Sequence, residues 1–317
     1  MDKKLKIGVS SCLLGQEVRY NGGHCHNRFV TKSLGTYAEF VPTCPETAIG
    51  MGIPRETVRL ERSAEGKVEM LAPKSGHDFT QDMRAFSKSW CEQLDQMDLD
   101  GFVFKKNSPS CGVFRVKIYQ NGQPAQRRGR GLFAQEVMDR CPELPVEEDG
   151  RLADPMLREQ FINRVFAFRR VKDVFKGDWK RKDIIAFHAR EKMLLMAHHP
   201  QQAKVLGRLL GNVKSFERDD FKMVYIKEFM ACVNHKASRG KQVNALMHMA
   251  GYLKKKQTAQ GRAELNQLIA GYQRGQYPLS VPLTLMTHMV RRFEQSYLAQ
   301  QSYLKPHPQE LALRNYS

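Results

Sequence analysis

Six of the seven cysteines lie in the first half of the 317-residue chain, Cys12, Cys25, Cys44, Cys91, Cys111 and Cys141, and only Cys232 lies in the second. In a chain that opens without a secretion signal, such thiols are read as reduced rather than as a disulfide framework. Sulfur chemistry, if any, belongs to the first half. Cys12, Cys44 and Cys111 stand in small, turn-forming surroundings: Ser10-Ser11 precede the first, Pro45-Glu46 follow the second, and Ser108-Pro109-Ser110 lead to the third, with Gly112 after it. Such surroundings leave a sulfur accessible. Three thiolates can ligate a metal, and on a four-iron cluster they leave one iron open as a Lewis acid. Their spacing matches neither a zinc finger nor a ferredoxin run, and no C-x-x-C pair occurs. On spacing alone the competing reading stands, in which the cysteines are small buried apolar residues.

The elements around these cysteines point to one architecture. Leu5 to Ser11 is a short apolar run that ends in small residues before Cys12; Phe40 to Thr43 leads into Cys44, and Leu99 to Phe104 leads into the segment ending at Cys111. Each reads as a buried strand stopping at a loop. Between them, Phe79, Met83, Phe86, Trp90 and Leu94 recur at helical spacing and predict a crossover helix over 78–96. Strands alternating with helices imply an α/β domain with a parallel sheet, whose ligands bind beyond the carboxyl ends of the strands. The fold can therefore bring three distant cysteines together.

From about Leu152 the pattern becomes amphipathic helices, with apolar faces at 161–175, 184–197, 217–233, 241–255, 262–273 and 283–298. No strand or internal repeat is evident there. The expectation is an all-α domain over 151–317 after an α/β domain over 1–148, with Glu147-Glu148-Asp149-Gly150 as the linker. Charge divides the same way. Residues 1–150 carry 21 basic and 20 acidic side chains, while 151–317 carry 30 and 13, which is most of the net +18. A basic module suggests a polyanionic partner, nucleic acid ahead of anionic lipid, against the plainer reading of a merely soluble basic domain. With 41% hydrophobic and 26% charged residues the chain is not disordered, and no run approaches the roughly 18 apolar residues of a membrane span. The start, Met1-Asp2-Lys3-Lys4-Leu5-Lys6, carries no leader pattern, so no membrane association is expected and the protein is read as cytoplasmic.

Four segments, in order, carry a family resemblance: Ser10-Ser11-Cys12-Leu13-Leu14-Gly15, Arg19-Tyr20-Asn21-Gly22-Gly23, Cys44-Pro45-Glu46, and Lys105-Lys106-Asn107-Ser108-Pro109-Ser110-Cys111-Gly112. Over roughly the first 145 residues the chain resembles the thiouracil desulfidase (TudS-like) family. The resemblance implies a [4Fe-4S] cluster held by Cys12, Cys44 and Cys111, and removal of sulfur from a thiolated uracil base or nucleoside without net redox change, releasing hydrogen sulfide. It implies Glu46 as the general base that activates water, and Ser108 as a proton relay or a hydrogen-bond partner of the ring. The plainer readings are a helix N-terminal carboxylate for Glu46 and a turn hydroxyl for Ser108. Ser11, Arg19, Tyr20, Asn21 and Lys105 are candidates for substrate binding; Arg19, Tyr20 and Asn21 either shape the pocket or tie their loop down. For Arg19 a buried salt bridge is an equal reading; for Lys105 the alternatives are neutralising the cluster or plain solvation. Gly129-Arg130-Gly131 has a counterpart in the family near the site, and here only its backbone geometry is invoked.

One departure is visible. His24-Cys25-His26 places a thiol where the family's usual pattern has none, but three adjacent residues in extended chain cannot all face one ion. Cys91, in the expected helix, and Cys141, before Pro142, are not expected to be ligands. Tyr277 to Met286, Arg291-Arg292 and Tyr303 to Pro308 resemble the YbgA-type helical domain, over about 150–317. Its basic residues, among them Arg169-Arg170, Lys180-Arg181-Lys182 and Lys254-Lys255-Lys256, lie near Phe168, Trp179 and Tyr252, which suggests stacking on bases of tRNA or another nucleic acid. Aromatic residues at such spacing are also ordinary core. His188, His198, His199, His235, His248 and His288 are scattered and read as structural. Dimerisation, or covering the cluster, are the other roles open to the helices. Two functions compete with the desulfidase: an iron–sulfur nucleic-acid-binding sensor without catalysis, and a sulfur-transfer protein.

Overall fold

The computed structural model describes residues 4–120, 123–311 and 313, apart from the side chains of 124–127. The Met1-Asp2-Lys3 start lies outside the described residues. Two compact units are present, Met1–Phe161 and Ile162–Ser317.

The first unit is built on a parallel sheet. Its strands are β1 (Leu5–Ser10), β2 (Ala38–Thr43), β5 (Gly101–Phe104) and β8 (Val146–Glu148), in the order β2-β1-β5-β8. β1 pairs with β2 from Leu5↔Ala38 to Ser10↔Thr43, so the two strands end side by side. β5 joins β1 on its other edge through Ile7↔Gly101. All four residues of β5 are buried, as a central parallel strand requires. Gly8 makes room for this packing, because a Cβ there would stand 2.3 Å from the Phe102 ring. Phe102 stacks on Phe104, and Trp90 and Phe133 pack edge-on against it.

Trp90 comes from α2 (Thr80–Glu92) and Phe133 from α4 (Leu132–Arg140). The helix expected over 78–96 is present but interrupted at Gln93, after which α3 (Leu94–Met97) begins. A second sheet was not anticipated. It holds β3 (Arg59–Arg62), β4 (Val68–Leu71), β6 (Val116–Gln120) and β7 (Gln123–Gly129) in the order β4-β3-β6-β7. Two antiparallel hairpins are joined through the parallel pair β3–β6.

The acidic stretch expected as a linker is instead part of this unit. Val146–Glu148 forms the edge strand, and its Glu147 and Glu148 are buried. Each carboxylate has partners that account for its burial. Arg151 Nε donates to Glu147 Oε1 (2.7 Å), and the backbone N–H groups of Val113 and Phe114 donate to Glu148 Oε1 (2.7 and 2.9 Å). Glu148 thus ties β8 to the loop that follows Cys111.

The second unit has no strand among its described residues. Its helices are α5 (Pro155–Val174), which begins in the first unit, α6 (Arg181–His198), α7 (Pro200–Gly211), α8 (Arg218–Asn234), α9 (Arg239–Leu253), α10 (Ala259–Arg274), α11 (Ser280–Arg292) and α12 (Ser296–Ala299). α7 was not expected; His199 Nδ1 caps it by accepting the Gln202 N–H (3.1 Å), and Pro200 opens its first turn. The helical face expected over 283–298 ends at Arg292, where Glu294 turns left-handed (φ 49°). Phe175, Trp179, Phe187, Phe221, Tyr225 and Phe229 form an aromatic core. Phe168 is buried too. Of the three aromatics proposed to stack on bases, only Tyr252 is exposed, because the other two face the helix interior at core spacing. Among the described residues no helix is long and apolar enough to cross a membrane.

Two substitutions test these restraints. Glu148→Ala leaves two buried N–H donors without their acceptor and should cost about 2–4 kcal/mol in urea unfolding. At Gly131 a Cβ would stand 2.4 Å from the Ser110 carbonyl, so Gly131→Ala should destabilise by about 1–3 kcal/mol, with the β5–β6 loop losing hydrogen-exchange protection.

Candidate functional site

Because β1 and β2 end in register and β5 lies beside β1, the loops that leave them open onto one cleft of about 360 Å³. Cys12 lies in the tight turn Ser11–Leu14 immediately after β1. Cys44 is the first residue after β2 and immediately precedes the short helix α1 (Pro45–Ala48). Cys111 lies in the loop between β5 and β6. All three line the cleft, together with Ser11, Arg19, Tyr20, Glu46, Lys105 and Ser108. Asn21 does not: its Oδ1 accepts the Gly23 N–H (3.2 Å) and holds the 19–23 turn.

Glu46 sits in the first turn of α1, and its two oxygens are used differently. Arg55 grips Oε2 through Nη2 (2.6 Å) and Nε (3.2 Å). The guanidinium is itself held by the Val18 and Gly52 carbonyls (both 2.9 Å), and its side chain is only 4% exposed. Ser110 Oγ–H donates to Oε1 (2.6 Å), and Ser108 Oγ lies 3.4 Å from the same oxygen. The two hydroxyls also meet each other at 2.9 Å, so both serines converge on the same carboxylate oxygen. Ser108 Oγ also accepts the N–H groups of Ser110 and Cys111 (3.3 and 3.1 Å), so it shapes the cysteine turn as well.

Lys105 is neither free nor simply solvated. Its Nζ pairs with Asp149 (3.1 Å), its N–H donates to Ser10 Oγ (3.0 Å), and Asp149 also accepts the Lys106 N–H (2.7 Å). Arg19 forms no ion pair among the described residues; its guanidinium lies over the Tyr20 ring, 5.4 Å from the centroid. Tyr20 is exposed at the cleft, and its carbonyl accepts the Arg55 N–H (2.8 Å).

Arg55, Ser110 and Asp149 were missed from the sequence. The Ser-Pro-Ser-Cys alternation was a local signal for Ser110, since two serines flanking a proline can point to one side of a turn. Arg55 and Asp149 had no local signal. Of His24-Cys25-His26 only Cys25 lines the cleft, its N–H donating to the Cys12 carbonyl (2.9 Å). His26 Nε2 instead meets Thr31 Oγ1 (2.9 Å). Cys91 and Cys141 do not line it.

Burial pushes the Cys12 thiol up to about 12, with Cys25 adding to the effect, and burial raises Cys111 further still. A bare thiolate is disfavoured in both places, whereas a cation bound to sulfur holds it deprotonated. Among the described residues no three His, Cys, Asp or Glu groups are arranged to hold a single metal ion. A cluster asks for something different, because each thiolate binds its own iron and the sulfurs stand further apart. Three thiols on separate loops around one cleft fit that requirement.

Comparison with known proteins agrees with this organisation. Residues 7–149 match the family model "2-thiouracil desulfurase", and residues 192–308 match "Protein of unknown function (DUF1722)". "Uncharacterized protein YbbK" of Bacillus subtilis (strain 168) is 32% identical over 111 residues, 33% of this chain and 72% of that protein. "Uncharacterized protein YbgA" of Escherichia coli (strain K12) is 26% identical over 153 residues, 48% of this chain and 90% of that protein. A solved structure titled "[4Fe-4S]-dependent thiouracil desulfidase TudS" is 28% identical, covers 47% of this chain and 94% of its own, and has a TM-score of 0.37. With its cysteines, its Glu46 and its parallel sheet in the matched segment, the chain belongs to the 2-thiouracil desulfurase family and joins to it a helical DUF1722 domain.

Proposed function

We propose that the first domain, residues 1–148, removes sulfur from a thiolated uracil base or nucleoside, with a [4Fe-4S] cluster held by Cys12, Cys44 and Cys111. The observation that carries this reading is the meeting, in one cleft, of three cysteines with a carboxylate held by an arginine and two serine hydroxyls. When bound, the cluster would supply an iron with no protein ligand, a Lewis acid suited to a soft thiocarbonyl sulfur.

The protein's own groups do the rest. Arg55 fixes Oε2 of Glu46 and leaves Oε1 to take a proton from the water that attacks the ring carbon. Ser110 Oγ–H, 2.6 Å from Oε1, holds that oxygen in place, and the proton that Glu46 takes from water is the one that the departing sulfur needs. The balance is one C=S and one water giving one C=O and one hydrogen sulfide, with no electron gained or lost. In this reading Ser11, Arg19 and Tyr20, which line the cleft, hold the ring. Lys105, paired with Asp149, positions the loop that carries Ser108 and Cys111. A cluster used only for sensing would need the three thiols but not the carboxylate and its serines. The excess of 30 basic over 13 acidic residues in 151–317 supports a polyanionic substrate or partner, such as thiolated tRNA.

Anaerobically purified protein should carry about four irons per chain and release hydrogen sulfide from 2-thiouracil or 4-thiouracil. Cys111→Ala should lose both iron and turnover. Glu46→Gln should keep its iron while kcat falls by roughly 10²-fold or more, and Ser110→Ala should lie between it and the wild type. Protein without iron would end the cluster assignment, and full turnover in Glu46→Gln would end that of the base. Binding of tRNA to the whole chain should weaken steeply with salt; binding indifferent to salt would remove the polyanion reading.

A further inference from the structure

The helical unit contains a second cavity, of about 530 Å³, formed by α6, α7 and α9. His188, Lys192, Lys204, Asn244 and His248 supply its polar groups, and none of its lining residues is acidic. Met196, Pro200 and Ala203, each partly exposed, supply its apolar surface. The volume is that of a site for a small organic molecule.

His188 is the most constrained of these groups. Its Nδ1 lies 2.9 Å from the hydroxyl of the fully buried Tyr225. Burial holds the phenol in its protonated form and keeps the imidazole neutral, with Lys192 acting in the same direction on the ring. Nδ1 is the acceptor available to the phenol, so Tyr225 donates to it and the imidazole carries its proton on Nε2. Gly207 faces that nitrogen without a side chain, since even a Cβ there would stand 3.9 Å away. A tautomer set by a buried partner therefore presents one N–H donor to a cavity flanked by two lysines. Lysine is a point charge rather than a planar fork, so the pair suits a compact dianion better than a carboxylate.

We propose that this cavity binds a small phosphate monoester, with Lys192 and Lys204 answering the charge of the phosphoryl group, His188 Nε2–H donating to it, and Met196 and Ala203 carrying the organic body. The site lies wholly within the helical unit and does not depend on the desulfidase reading.

Calorimetric titration of the whole protein at low salt tests it, with uridine 5′-monophosphate, uridine, inorganic phosphate and a short single-stranded RNA as probes. The expected result is saturable binding of the monophosphate, at least tenfold weaker binding of uridine and of inorganic phosphate, and a raised melting temperature with the monophosphate. Lys192→Gln and Lys204→Gln, both exposed positions that should leave folding intact, should each weaken it at least fivefold. His188→Phe should weaken it as well, its fold verified by its melt because Tyr225 loses a partner. No saturable binding of the monophosphate, equal affinity for uridine, or unchanged affinity in both lysine variants would overturn the proposal. So would lysine-dependent binding of the RNA without the monophosphate, which would make the cavity part of a nucleic-acid surface.

Discussion

The candidate site depends on one constraint of backbone pairing. β1 and β2 run parallel and end on the same rung, Ser10 opposite Thr43, with β5 against the other edge of β1. The chain goes from β1 outward to β2 and then returns to the opposite side, so the loops after β1 and β5 part at the point where the strand order reverses. That gap is where an open parallel sheet places its ligand. Cys12, Cys44 and Cys111 share a cleft because their strands share an edge, across nearly a hundred residues of sequence. A slip of β2 by one residue would turn its alternate side chains to the other face and carry Cys44 away from the other two.

Carboxylates then hold the loops in place. Glu46 receives Arg55 and Ser110, Asp149 receives Lys105 and the Lys106 N–H, and Glu148 receives the N–H groups that follow Cys111. Each is wholly or largely withdrawn from water, where an unpartnered carboxylate would be costly. The partners come from distant segments, so each pair joins elements that sequence keeps apart. Restraint of this kind suits a binding cleft, whose polar groups are then already oriented when a ligand arrives.

In the helical unit, part of the charge excess serves the fold. Arg170 pairs with the buried Glu191, Arg218 stacks on Trp179 and bonds its carbonyl, and Lys256 donates to the Phe293 carbonyl. Lys254 and Lys255 remain exposed. The count of basic residues therefore overstates the charge available to a partner, and an argument from charge has to be made residue by residue.

Three of the four parallel strands and most of the helices were legible from sequence, as short apolar runs or as apolar residues at the helical period of 3.6, and both are local properties. That Cys12, Cys44 and Cys111 could meet was legible for a related reason, since each follows a strand end, while Glu46 was singled out by the family motif that contains it. The second sheet was not, since Arg59-Leu60-Glu61-Arg62 is too short for its alternation to be told from a loop. Nor was the fate of Glu147-Glu148-Asp149, whose acidity resembles a solvated linker until Arg151, Lys105 and two backbone N–H groups are folded against it. Arg55, Ser110 as the partner of Glu46, and the meeting of His188, Lys204 and His248 in one cavity belong to the same class. Sequence alone determined which segments are buried and which carry reactive side chains, because burial and turn chemistry act over a few residues. Only tertiary structure decided which of those side chains face one another, because partners far apart in the chain are selected by packing and register.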